Sequence, residues 1–262
     1  MIKLAVNLSM IFNEVPLIER FALAHQHGFK YVEIQHPYTL SISELRDQLQ
    51  QYDLRICLIN VPTADLLEGG NGLACVPDKE LEFHRALDQA LEYAIALNIP
   101  RVNILAGRQP QDCELLECLN IYTKNLKFAC QRLHENGIKP VFEMINGTDM
   151  PHFLIQNAAQ AQDILDAVNH PALKMQFDCY HAAMMGEDVL ETLQENISDI
   201  GHIQFADCPG RHEPNTGDIQ FSKIFEWLKN SNYQGFVAAE YRPSQHSNDS
   251  FAWKAQFFDH TS

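Results

Sequence analysis

Three acids and one amide close short apolar runs in the second half of the 262-residue chain. They are Glu143 in KPVFEMI, Asp178 in LKMQFDC, Gln204 in IGHIQFA and Glu240 in GFVAAEY. Side chains alternate along a strand, so one set of each run packs outward and the other faces the opposite side. Met175 and Phe177, Ile203 and Phe205, and Val237 and Ala239 form apolar outward sets. Asp178, Gln204 and Glu240 then share the inward side, and Glu143 sits near the same end of its run. Neighbouring strands lie about 4.8 Å apart, so four such groups can converge on one point. Three carboxylates there would repel, and burial would raise their pKa values, unless a cation sat among them. Three carboxylates and an amide oxygen make a hard donor set, which favours one divalent ion, Mg²⁺ or Mn²⁺, over Zn²⁺.

Other polar groups cluster beside these four. Asn7, Glu33, Asn60 and Asn103 also fall late in apolar runs. His181 follows Asp178 by three residues, in D-C-Y-H. Arg211 stands in D-C-P-G-R-H-E-P after the Gln204 run, in a stretch shaped by Pro209, Gly210, Pro214 and Gly217. A planar guanidinium suits bidentate binding of a carboxylate, so Arg211 is the expected anchor for an anionic substrate. Lys174 begins its run, far from that end, and alternation past Glu240 turns Arg242 to the other side.

What must position these groups is an alternation of short and long elements. Strand-like runs fall at 3–9, 31–36, 55–61, 101–106, 139–145, 173–179, 200–206 and 235–241. Helical periodicity occupies 15–27, 113–135, 158–168, 188–198, 221–230 and 247–258. Ser41 with Glu44 predicts a capping box ahead of Leu45 and Leu49. Asp78 is the expected cap of a long helix through Ala94. Eight strands alternating with eight helices predict an α/β fold, a single (β/α)₈ barrel of the TIM type. Barrel enzymes place chemistry at the C-terminal ends of their strands. No glycine-rich dinucleotide motif follows the first run, where Asn7-Leu8-Ser9-Met10 stands instead, which disfavours a doubly wound sheet. The segment 62–77, with Gly69-Gly70-Asn71-Gly72, exceeds an ordinary βα loop and reads as a lid over the same face. No linker or low-complexity tract divides the chain, so residues 1–262 read as one domain.

A net charge of −15 argues against nucleic acid and anionic lipid as partners. Seven cysteines, odd in number and without C-x-x-C spacing, read as reduced thiols of a cytoplasmic protein. The N-terminus lacks a signal-peptide pattern, and no apolar run is long enough to span a membrane.

With these residues in place, the chain resembles the hydroxypyruvate isomerase family within the xylose isomerase-like TIM barrels. The likeness covers nearly the whole chain: N-L-S-M at 7–10, E-V-P-x-I-E-R-F at 14–21, G-L-A-C-V-P at 72–77, Q-F-D-C-Y-H at 176–181, G-H-I-Q-F-A-D at 201–207, R-H-E-P-x-x-G-x-I at 211–219 and E-Y-R-P at 240–243. Gln35-His36 and Met144-Ile145-Asn146-Gly147 depart from the family pattern. The resemblance implies metal ligands at Glu143, Asp178, Gln204 and Glu240, with Glu143 and Glu240 as the acid/base pair. It implies a metal-dependent isomerase interconverting hydroxypyruvate and tartronate semialdehyde, or the four-carbon 2-oxo-tetronates. His181 and Arg211 would contact a small anionic 2-oxo acid, and homo-oligomerisation is left open. A ketose 3-epimerase is disfavoured because related barrels carry histidine where Gln204 stands. An abasic-site endonuclease is disfavoured by the charge and by the oxygen-only ligand set. A non-catalytic sugar-binding module would have no use for paired glutamates at a metal.

Overall fold

The computed structural model describes residues 2–258. Eight parallel strands close into a barrel in sequence order. They are β1 (Lys3–Asn7), β2 (Tyr31–Ile34), β3 (Arg55–Asn60), β4 (Arg101–Asn103), β5 (Lys139–Glu143), β6 (Lys174–Asp178), β7 (Ile200–Phe205) and β8 (Phe236–Ala239). All eight expected strands are present, each shorter at its C-terminal end than its apolar run. The barrel is the expected (β/α)₈ fold.

Helices α1 (Leu17–Gln26), α2 (Ile42–Gln51), α3 (Glu80–Ala96), α4 (Leu115–Glu135) and α5 (Ala158–Val168) follow the first five strands. The capping box forms as expected: Ser41 Oγ accepts from Glu44 N at 3.3 Å and Ser41 N donates to Glu44 Oε2 at 2.8 Å. Asp78 does not cap α3. It sits at φ 60°, at the left-handed corner of the turn that enters the helix, and Lys79 is the cap residue. Helices α6 (Cys179–Met184), α7 (Val189–Asn196), α8 (Phe221–Asn230) and α9 (Ala252–Phe258) complete the described set. Only α6 was not expected: its six residues are too few to show a periodicity.

The main apolar core lies between strands and helices and includes Met175, Phe177, Ile203, Phe205, Val237 and Ala239. A smaller buried cluster of Ala5, Cys57, Leu58, Val141, Phe236 and Ala238 is separate from it. Apart from Cys57, which the β2–β3 register skips, these residues alternate with the outward set, beneath the polar groups. Across β6, β7 and β8 the register pairs Asp178 with Gln204 and Gln204 with Ala238, and Glu143 of β5 pairs with Gln176. The register staggers the polar groups: Glu143 is level with Gln176, two residues before Asp178, and Gln204 is level with Ala238, two residues before Glu240. The seven cysteines are free thiols. No helix among the described residues is long and apolar enough to cross a membrane.

Candidate active site

Glu143, Asp178, His181 and Glu240 are buried at the C-terminal end of the barrel. Glu143, His181 and Glu240, with Arg211, line a cavity of about 500 Å³, whose wall also carries Gln35, Leu67, Asp149 and Arg242, and Asp178 lies behind His181 and Arg211. His181 Nε2 lies 3.6 Å from Asp178 Oδ2 and 3.9 Å from Glu143 Oε1. The Arg211 guanidinium, with 14% of its side chain exposed, lies 3.0 Å from Glu240 Oε1 and 3.4 Å from Asp178 Oδ2. Five of the residues singled out in the sequence thus come together: Glu143, Asp178, His181, Arg211 and Glu240.

Asp178 has two tasks. Its Oδ1 accepts from Tyr180 N at 2.9 Å and caps α6, while Oδ2 faces His181 and Arg211. The helix it caps carries His181 back over the barrel end. Glu143 is held from below: Asn103 Nδ2 donates to its Oε2 at 3.0 Å and Gln176 Nε2 at 2.8 Å. Gln204 lies one layer deeper. Its Oε1 accepts from the same Gln176 Nε2 at 2.7 Å, and its Nε2 donates to Glu33 Oε1 at 2.7 Å. Glu33 also accepts from Asn7 Nδ2 at 2.8 Å and meets His202 Nε2 at 2.6 Å. This buried network is the floor of the site and fixes the Gln204 amide with its oxygen away from Glu33.

Burial raises all three site carboxyls. Glu143 is pushed up to about 8 by burial and then by the neighbouring Asp178 charge. Asp178 is pushed up to about 6 by burial, against the pull of Arg211. Glu240 is raised well above the usual carboxylate range by burial, again opposed by Arg211. His181 is driven well below its ordinary value by burial and by the Arg211 charge, so its imidazole is neutral. Burial alone would lower Arg211, but the Glu240, Asp178 and Glu143 charges outweigh it and raise the guanidinium.

This donor set fits a divalent cation. Carboxylate oxygens of Glu143 and Asp178 lie within 4.8 Å of each other. Glu240 Oε2 is buried without a hydrogen-bond partner. An orphaned carboxylate oxygen among carboxyls raised by burial is where a positive charge lowers the free energy most.

The loop after β7 is built around Asp207, which is fully buried. Asp207 Oδ1 accepts from Cys208 N at 2.9 Å and Ile219 N at 3.0 Å, and Oδ2 from Asn215 N at 2.9 Å and Thr216 N at 3.1 Å. Gly217 passes so close that a Cβ would meet the Cys208 carbonyl at 2.4 Å. Arg211 is held at φ 58° with its N–H on Asp207 O at 3.0 Å, and this aims its side chain inward.

Two residues escaped the sequence reading. Gln35 Nε2 donates to Glu240 Oε1 at 2.8 Å, and Asn146 Nδ2 lies 2.7 Å from His181 Nδ1. Both stand just past a strand end, in the two stretches that depart from the family pattern. Arg242, expected to turn away, lines the cavity instead. β8 ends at Ala239, so strand alternation no longer governs the residues beyond Glu240. Lys174 pairs with Asp199 at 3.2 Å, at the start of β6 and away from the site.

Comparison with known proteins gives a consistent picture. A family model described as xylose isomerase-like TIM barrel matches residues 21–260. A 2-oxo-tetronate isomerase from Cupriavidus necator is 36% identical over 96% of each chain. A hydroxypyruvate isomerase from Escherichia coli is 35% identical over 97% of this chain and 98% of its own. A solved structure from Brucella melitensis, described as an AP endonuclease of family 2, is 33% identical, covers 98% of this chain and 99% of its own, and superposes with a TM-score of 0.94.

Proposed function

The chain belongs to the hydroxypyruvate isomerase family of xylose isomerase-like TIM barrels, and on that premise we propose that it is a metal-dependent isomerase of small 2-oxo acids, interconverting hydroxypyruvate and tartronate semialdehyde. One observation carries the reading. Two glutamates at the ends of separate strands, Glu143 closing β5 and Glu240 just past β8, face one cavity that also holds a guanidinium able to bind a carboxylate.

Glu143, Asp178 and Glu240 would hold one divalent cation, Mg²⁺ or Mn²⁺, with the Gln204 oxygen as a further ligand once it gives up its contact with Gln176, and the ion would supply Lewis-acid polarisation of the substrate oxygens. The two glutamates share the proton work. One removes a proton from the hydroxyl-bearing carbon of the 2-oxo acid, giving a cis-enediolate. The other returns a proton to the adjacent carbon, and the hydroxyl proton passes to the former carbonyl oxygen. Two carboxylates flanking a planar intermediate suit this general acid–base work. Arg211 holds the substrate carboxylate, and His181 faces the reacting oxygens.

The 36% identity to a 2-oxo-tetronate isomerase favours the four-carbon substrates as the second reading. A cavity of about 500 Å³ leaves room for the extra carbon. DNA cleavage fits poorly, because a net charge of −15 repels the phosphate backbone. Turnover of hydroxypyruvate and of 2-oxo-tetronates, measured under identical Mg²⁺ and Mn²⁺ conditions, tests the reading. Turnover of neither acid would sink it, and the ratio of kcat/KM values assigns the substrate length. Within this reading the full chain, residues 1–262, acts as one domain of a cytoplasmic enzyme.

A further inference from the structure

We infer that Asn146 is a positioning residue that fixes the tautomer of His181, so that His181 presents Nε2–H to the reacting oxygens as a hydrogen-bond donor rather than a lone pair to a metal. The inference rests on the isomerase reading for its catalytic meaning, but its structural content stands on the hydrogen bonds alone.

The Asn146 side chain is fully buried and its orientation is determined from both ends. Its Oδ1 accepts from Thr148 N at 3.0 Å and from Asp149 N at 2.8 Å. Two backbone N–H groups on one atom require that atom to be the oxygen. The amide nitrogen therefore points the other way. It lies 2.7 Å from His181 Nδ1, with its second hydrogen directed to Asp149 Oδ2 at 3.1 Å. The backbone N–H of Asn146 also points at His181 Nδ1, at 3.4 Å. Facing two donors, Nδ1 must carry the lone pair, and in a neutral imidazole the proton then resides on Nε2.

That proton faces the site. Nε2 lies 3.6 Å from Asp178 Oδ2 and 3.9 Å from Glu143 Oε1, too far for a direct hydrogen bond to either. The donor is buried and aimed into the cavity, where a substrate oxygen would complete its hydrogen bonding. The proximity of Glu143, Asp178 and His181 alone would allow His181 as a metal ligand, and the Asn146 contacts decide against it. A neutral Nε2–H stabilises negative charge developing on an enediolate oxygen without giving up its proton in the ground state.

Asn146→Asp is the decisive variant. A carboxylate still accepts from Thr148 N and Asp149 N, and pairing the change with Asp149→Asn removes the like charge that its second oxygen would otherwise meet at 3.1 Å, so the turn at 146–149 is kept. It offers His181 Nδ1 an acceptor in place of a donor, which moves the imidazole proton to Nδ1. Selectively ¹⁵N-histidine-labelled protein, loaded with diamagnetic Mg²⁺, is read by long-range ¹H–¹⁵N correlation, with His181 assigned from the spectrum of His181→Ala. The wild-type pattern is expected to be the Nε2–H tautomer and that of Asn146→Asp the Nδ1–H tautomer. Kinetically, Asn146→Asp should lower kcat about 10²–10³-fold, with KM changed far less. It should cost little more in a His181→Ala background. Asn146→Ala, which keeps the backbone donor, should fall between. An Nδ1–H tautomer in the wild-type protein overturns the inference, as does an Asn146→Asp enzyme with unchanged tautomer and kcat. If the wild-type chain turns over no 2-oxo acid, the proposed function fails, while the tautomer measurement still decides this inference.

Discussion

The side-chain amide of Gln35 lies 2.8 Å from Glu240 Oε1, the oxygen that Arg211 also reaches at 3.0 Å, while Glu240 Oε2 is left without a partner. Gln35 is itself anchored, its N–H on Ser9 Oγ at 2.8 Å and its carbonyl accepting from Asn60 N at 3.0 Å. A neutral donor orients the carboxylate without adding charge. If Arg211 turns to the substrate, Gln35 alone keeps Oε1 fixed and Oε2 free. Gln35→Leu should therefore lower kcat about 10–100-fold, the worth of one hydrogen bond to a charged group, with a much smaller change in KM. A rise in KM at constant kcat would show instead that Gln35 binds substrate.

Arg211 has two electrostatic duties, and its removal should separate them. As the cation beside Asp178 and Glu240 it lowers their mutual repulsion in the metal-free protein. As the proposed carboxylate anchor it binds substrate. Arg211→Ala should raise KM for 2-oxo acids about 10–150-fold, and lysine should restore only part of the loss. Thermal melts near neutral pH should show Arg211→Ala destabilised without divalent cation and largely recovered with Mg²⁺. Unchanged kinetics on anionic substrates would reopen neutral ketoses as the substrate class.

The loop that carries Arg211 can be perturbed without touching the site. Asp207→Ala removes the acceptor of four backbone N–H groups, and nothing else in the loop replaces it. The KM defect of Asp207→Ala should follow that of Arg211→Ala in direction. The double variant should be no worse than Arg211→Ala alone, because both act through one guanidinium. Additive losses would mean that Asp207 serves something other than Arg211.

Stability should depend on pH in opposite senses with and without cation. Glu143, at about 8, and Asp178, at about 6, are raised above their unfolded values, and Glu240 is raised further by burial. The folded chain then binds more protons than the unfolded chain across that interval. The stability these groups contribute is complete below the unfolded carboxyl values and is lost as pH rises through about 6 and then about 8. Cation binding needs the ionised carboxylates, so Mg²⁺ should stabilise increasingly over the same interval. Melting temperatures across this range, with Mg²⁺ and with EDTA, should diverge as pH rises. Parallel curves would show that the three carboxyls do not hold the ion.

Period two made much of this site legible in the sequence. Asp178 and Gln204 fall on the side opposite Phe177 and Phe205, and that parity alone puts them inside the barrel. The eight strands and the Ser41 capping box were legible for similar local reasons. Gln35, Asn146 and Arg242 were not, because each lies beyond its strand, where turns rather than pleats set direction. Helix α6 was hidden by its length, and Asp78 failed as a cap because the preceding turn put it in a left-handed corner. Sequence periodicity thus finds what strands present and misses what the adjoining turns bring to it.

The segment 62–77 was expected to be a lid, and its contacts make it in large part a strap. Arg108 Nη1 reaches the carbonyl of Leu66 at 2.7 Å and also that of Gly70, closing a short turn around Leu67. Asp65 Oδ1 accepts from Gly72 N at 3.0 Å, and Asn125 Nδ2 donates to Ala74 O at 2.9 Å. Leu73 to Val76 are buried. What remains exposed is the tip: Leu67 is 59% exposed and lines the active-site cavity. Arg108 is therefore the latch that holds an apolar tip over the cavity. Arg108→Ala removes charge-assisted bonds worth about 1.5–3 kcal/mol each at most, reduced by water competing at a partly exposed site. The variant should keep its barrel but become more susceptible to limited proteolysis near 66–70. KM should rise a few-fold, and Leu67→Ser in the wild-type strap should raise it similarly without increasing cleavage. If Arg108→Ala leaves both cleavage and KM unchanged, the turn at 66–70 is held by its own backbone, and Leu67 is an ordinary exposed side chain.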